Sequence, residues 1–146
     1  MSAVVLVGKL TKLEMGVDVN THTDVTNLVY MRWNRIHEVR GAFVSATKTP
    51  DHWSQGHSWV AFEVGLLGYH TAFTTQAVDG SGNYAYDEDG DSYPIGYFVI
   101  TYKDKTGASK TTTFNNAIVA TMDLELRDTQ DPITVVRGLA YYKTDA

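Results

Sequence analysis

Tyr97-Phe98-Val99-Ile100-Thr101-Tyr102, Thr111-Thr112-Thr113-Phe114, Ile118 to Leu126 and Ile133 to Tyr142 make the last third of this chain read as strand after strand. β-Branched and aromatic residues dominate these runs, and such side chains suit a pleated, half-buried surface. Gly107, Asn115-Asn116 and Asp128 to Pro132 separate them with turn formers. In Met122-Asp123-Leu124-Glu125-Leu126-Arg127 apolar and charged residues alternate strictly, which predicts one buried face and one wet face. No set of catalytic residues interrupts these runs, so function is expected in the sheet surface itself.

Upstream, residues 1–15 read as a strand or an arm, apolar over Val4 to Val7 and polar from Thr11 onward. The apolar part is too short for a membrane span and lacks the basic start of a cleaved leader, so neither is expected. Residues 16–27 are dense in turn formers. Leu28 to Thr47 reads as a strand whose alternation slips at Asn34-Arg35, where a bulge or turn is expected. A loop is expected around Pro50, Trp53 and Gly56. A second extended segment, Ser58 to Thr74, carries Val60, Phe62, Val64 and Leu66 on one face. At most one helix fits, within 25–36 or 60–70. The stretch from 79 to 94 is rich in glycine and acidic residues and reads as a long polar loop. Seven or eight strands with closely spaced turns predict a mainly β fold, a two-sheet β-sandwich or barrel formed by one domain over 1–146.

Composition narrows the function. A chain of 146 residues buries enough surface to fold without a metal or disulfide. It contains no cysteine, which removes disulfides and thiolate chemistry. The net charge of −5 argues against binding nucleic acid by neutralising phosphates. Arg32, Arg35, Arg40 and Lys103, Lys105, Lys110 have acidic neighbours and read as mixed, solvated faces.

Candidate chemistry is sparse. Asp87, Glu88, Asp89 and Asp91 crowd one loop, and Asp87, Asp89 and Asp91 are the residues that would hold a calcium ion. The spacing does not match an EF-hand loop, and a solvated loop is the better reading. No metal or cofactor is therefore expected. The histidines at 22, 37, 52, 57 and 70 show no spacing that sets two ligands on one helix face. No nucleophile elbow, phosphate-binding loop or dinucleotide fingerprint occurs. Glu14, Glu38, Glu63 and Glu125 offer carboxylates without a pattern, so no enzyme and no small-molecule substrate are expected. Trp33 and Trp59 sit inside apolar alternations and are expected in the core. Trp53, in its loop, is divided between surface use and local packing.

The run Leu28-Val29-Tyr30-Met31-Arg32-Trp33 resembles the strand before the first conserved tryptophan of major tail tube proteins of tailed bacteriophages. Ser45-Ala46-Thr47, Trp53, Gly56 and Ser58-Trp59-Val60-Ala61-Phe62 resemble the section that follows there, with Ala61 where a glycine or serine would be comfortable. Phe114-Asn115-Asn116-Ala117-Ile118-Val119, Leu124-Glu125-Leu126 and Thr134 to Tyr142 are similar to the closing strands of such proteins.

The resemblance implies a virion structural subunit, made in the host cytoplasm, that closes into rings, commonly hexameric. The rings stack into a tail tube with DNA only as passing, non-specific cargo. It implies subunit contacts through Val4, Val5, Leu6 and Val7, and through Trp53, Tyr84, Tyr86 and Tyr93, with the 79–94 loop becoming ordered on assembly. The rival readings are a non-catalytic module that recognises carbohydrate or another virion protein through Trp53, Tyr84 and Tyr86, and, last, a small β-barrel hydrolase or isomerase.

Overall fold

A computed structural model describes residues 6–17, 22–44, 48–69, 71–90, 92–104 and 106–146. Its strands are β1 (Leu6–Gly16), β2 (His22–Val25), β3 (Leu28–Ala42), β4 (His52–Leu67), β5 (Tyr97–Asp104), β6 (Ser109–Asn115), β7 (Ile118–Arg127), β8 (Gln130–Ala140) and β9 (Tyr142–Asp145). They form two antiparallel sheets: a five-stranded sheet ordered β2-β1-β5-β6-β9 and a four-stranded sheet ordered β3-β4-β8-β7. Of the two expected forms, sandwich or barrel, the two-sheet sandwich is the fold observed.

Period-two alternation builds the core. Val60, Phe62, Val64 and Leu66 of β4 and Val136 of β8 are buried from one sheet, and Leu13, Met15, Phe98, Ile100 and Phe114 from the other. Phe62, Phe98 and Phe114 form an aromatic triangle with ring centroids 5.0, 5.7 and 5.8 Å apart. Trp33 meets Phe114 edge-on at 5.6 Å, so its expected core role holds. Each such buried ring contributes roughly 1.5–3 kcal/mol of apolar burial. The chain passes from β6 in one sheet to β7 in the other at Asn116, which takes a left-handed φ of 50° that asparagine tolerates.

Four expectations change. The single described helix, α1 (Ala72–Thr75), lies outside both 25–36 and 60–70, whose β-branched alternations pair as β2, β3 and β4. Helix α1 stays at one turn because the Thr74 and Thr75 hydroxyls donate back to the Thr71 carbonyl. The loop expected around Trp53 is strand: His52 to Gln55 pair with Val39 to Ala42. The slip expected at Asn34-Arg35 falls instead between Leu28 and Tyr30 and between His37 and Val39. Trp59 is half-buried on the face opposite Val60, away from the core.

The 79–94 stretch also departs from a purely polar loop. Ala85 within it, and Val78 and Ile95 just outside its two ends, are buried in the core, and Tyr86 packs against it. Asp79 organises the first turn, accepting from the Ser81 and Asn83 amides. The Tyr86 amide donates to the Phe73 carbonyl at 3.0 Å. Its described part thus packs against its own subunit.

Candidate assembly interface

Strand β4 pairs with β8 only from Val60 to Leu67, whereas its pairing with β3 continues out to His52. Among the described residues, the far half of β3 and β4 therefore forms a two-stranded ribbon with no third strand paired to it. Its apolar side chains Val39 and Trp53 are exposed, Trp53 to 68%, as are Phe43 and Val44 just past the end of β3. The Trp53 ring lies over Gly41, its register partner, where an added Cβ would stand 3.3 Å from Cζ3. Packing and exposure coexist at this tryptophan.

The second surface lies at the other edge of the same sheet. Val119 and Met122 of β7 face inward on the core, and Leu124 and Leu126 continue that face by alternation. Both are exposed, Leu124 to 44% and Leu126 to 77%. The predicted alternation is present, but its apolar face is buried only at one end.

Among the other expected interface residues, Tyr84 and Tyr93 are each 40% exposed, while Tyr86 is largely committed to the core. Val4 and Val5 lie outside the described residues; Leu6 and Val7 belong to β1, of which the backbone alone is described there. Among the described residues, Asp87 and Asp89 join no group of three metal-ligating side chains. Asp87 spends Oδ1 on the Asp89 amide, and Asp91 lies outside the described residues. The ligand-type side chains that converge among the described residues are Glu14, His22 and Asp24.

The outer face of the four-stranded sheet carries a groove of about 650 Å³ beside Arg32, Asn34, Ala61, Glu63, Arg137 and Leu139. Register sets Arg32 opposite Glu63 and Glu63 opposite Arg137. Glu63 Oε2 accepts from Tyr30 at 2.9 Å and pairs with Arg32 at 2.7 Å, while Oε1 accepts from Arg137 Nε at 2.7 Å. Arg137 Nη1 donates to Asp123 at 2.6 Å. Burial pushes the Glu63 carboxyl up, but the bonds from Arg32, Tyr30 and Arg137 outweigh it and hold it below the ordinary carboxylate range. A carboxylate so held is a poor proton acceptor, and both guanidiniums already have carboxylate partners. The groove is built for shape and fixed charge pairing.

No family model matches the chain, and no curated protein matches it. Solved structures do. A chain of the six-fold symmetrised anti-feeding prophage baseplate matches with TM-score 0.67 at 10% identity, covering 100% of this chain and 97% of that one. The SPP1 tail tube matches with TM-score 0.57 at 12% identity, over 97% of this chain and 78% of that one. A chain of the anti-feeding prophage tube-terminating cap matches with TM-score 0.54 at 9% identity, over 100% and 93%. The chain thus shares the fold of these tail tube, baseplate and cap chains, and its sequence resemblance is to the tail tube proteins among them.

Proposed function

We propose that this chain is a non-enzymatic structural subunit that assembles with copies of itself into rings of a phage-type tail tube. The observation that carries the reading is the pair of unlike apolar surfaces at opposite edges of one sheet, the ribbon bearing Phe43 and Trp53 and the β7 stripe bearing Leu124 and Leu126. Unlike surfaces favour head-to-tail contact, which closes into a ring when the rotation divides the circle. β3 and β7 are the edge strands of that sheet among the described strands, and an edge offers backbone groups for pairing in the same two regions. The fold shared with the SPP1 tail tube supports stacking of such rings, and the acidic balance suits a conduit through which phosphates slide without being held. Location in a virion tail, ring number six and DNA as passing cargo belong to this reading.

The likeness to baseplate and cap chains favours one second reading, a ring that ends a tube instead of repeating along it. Sedimentation velocity across a concentration series separates the two. A tube subunit gives species that grow without limit; an end ring gives one closed oligomer. A monomer at every concentration contradicts both.

A further inference from the structure

On the outer face of the five-stranded sheet, Glu14 of β1 stands directly opposite Asp24 of β2. Facing carboxylates in an antiparallel pair repel one another. Glu14 is only 7% exposed, whereas the Asp24 side chain is 58% exposed and faces water. The other buried glutamate is treated differently: Glu63 has arginines as both of its cross-strand neighbours. At Glu14 the compensation comes from its own face. Lys12 Nζ lies 2.6 Å from Oε1. His22, two residues before Asp24, sets Nε2 3.2 Å from Glu14 Oε2 and 3.7 Å from Asp24 Oδ1. One ligand-type atom from each of Glu14, His22 and Asp24 lies within 4.8 Å of the other two.

We propose that Glu14, His22 and Asp24 form a site for a divalent transition-metal ion of the zinc class. Tetrahedral coordination with bonds of about 2.0–2.1 Å spaces its ligand atoms roughly 3.3 Å apart. The two distances from the imidazole nitrogen bracket that value, and all three ligand atoms lie within 4.8 Å of one another. One imidazole with two carboxylates suits zinc or cobalt, whereas calcium and magnesium take oxygen donors. Lys12 engages Oε1 and leaves Oε2 directed at the site, the orienting role of an outer-shell partner. The Tyr97 ring, 6.3 Å from that of His22, packs beside the imidazole. Asp24 opens the site to solvent, so water supplies the fourth ligand. A bound ion replaces the repulsion between β1 and β2 with a shared cation and ties the edge strand to the sheet.

The test is titration of the metal-stripped full chain with zinc chloride by calorimetry, and with cobalt chloride by visible absorption, near neutral pH. The proposal expects saturation at one equivalent and a tetrahedral cobalt spectrum. It expects affinity to fall at least tenfold in Asp24→Asn and saturable binding to vanish in His22→Gln, while His52→Gln binds as the parent does. His22 and Asp24 lie on a short edge strand, and a metal-free melting curve matching the parent's verifies that each variant is folded. Absence of saturable binding by the parent, or binding that survives both substitutions, overturns the proposal.

Discussion

Gly138 of β8 stands opposite Phe62 of β4, and a Cβ on residue 138 would lie 2.6 Å from Phe62 Cζ and overlap the Ile118 carbonyl oxygen. The backbone oxygen cannot swing aside as a flexible side chain does. Gly138→Ala is therefore expected to destabilise the subunit by about 1–3 kcal/mol, as overpacking does. Urea unfolding followed by tryptophan fluorescence reads the change directly.

The Glu63 network makes a pH prediction. Its folded-state carboxyl is held below the ordinary range, so the folded form binds a proton less readily than the unfolded chain. Its contribution is present above the unfolded value of about 4.3 and is lost as the pH falls through the folded value. Glu63→Gln is expected to lower stability at neutral pH by roughly 1–3 kcal/mol, since hydrogen bonds to charged groups are removed. It should also flatten the decline of the melting temperature on acidification. A variant whose acid limb parallels the parent's would show that the network does not carry this dependence.

Thr129 closes the β7–β8 turn with a φ of 58°, a left-handed conformation that a β-branched residue adopts at a cost. Thr129→Gly removes about 1–2 kcal/mol of steric strain. It gives back about 0.5–1 kcal/mol through the unfolded chain's added freedom. A net gain in melting temperature of a few degrees is expected in thermal denaturation at low concentration.

Leu126, at 77% exposure, touches little in its own subunit. Leu126→Lys is expected to leave the subunit's unfolding free energy within about 0.5 kcal/mol, as surface substitutions do. It should nevertheless abolish the large species in sedimentation. Equal losses of folding and assembly would place Leu126 in the fold instead of the interface.

Much of this architecture is legible in the residues, and the exceptions have physical causes. Val60, Phe62, Val64 and Leu66 announce a buried face because they alternate without a break. His52 to Gln55 do not announce a strand, because a ribbon wet on both faces needs no alternation and its pairing with β3 overrides its turn-like composition. Leu124 and Leu126 alternate as core residues do, yet burial depends on what lies opposite, and both stay exposed. The spacing of His22 and Asp24 places both on one face of a strand. Their meeting with Glu14 depends on the β1–β2 register, which no spacing rule for helices or loops reveals.

Electron microscopy of the purified chain at high concentration tests the central claim most directly. The account predicts closed rings or stacks of rings in the parent and their absence in Leu126→Lys. Uniform compact monomers in the parent at every concentration would contradict it.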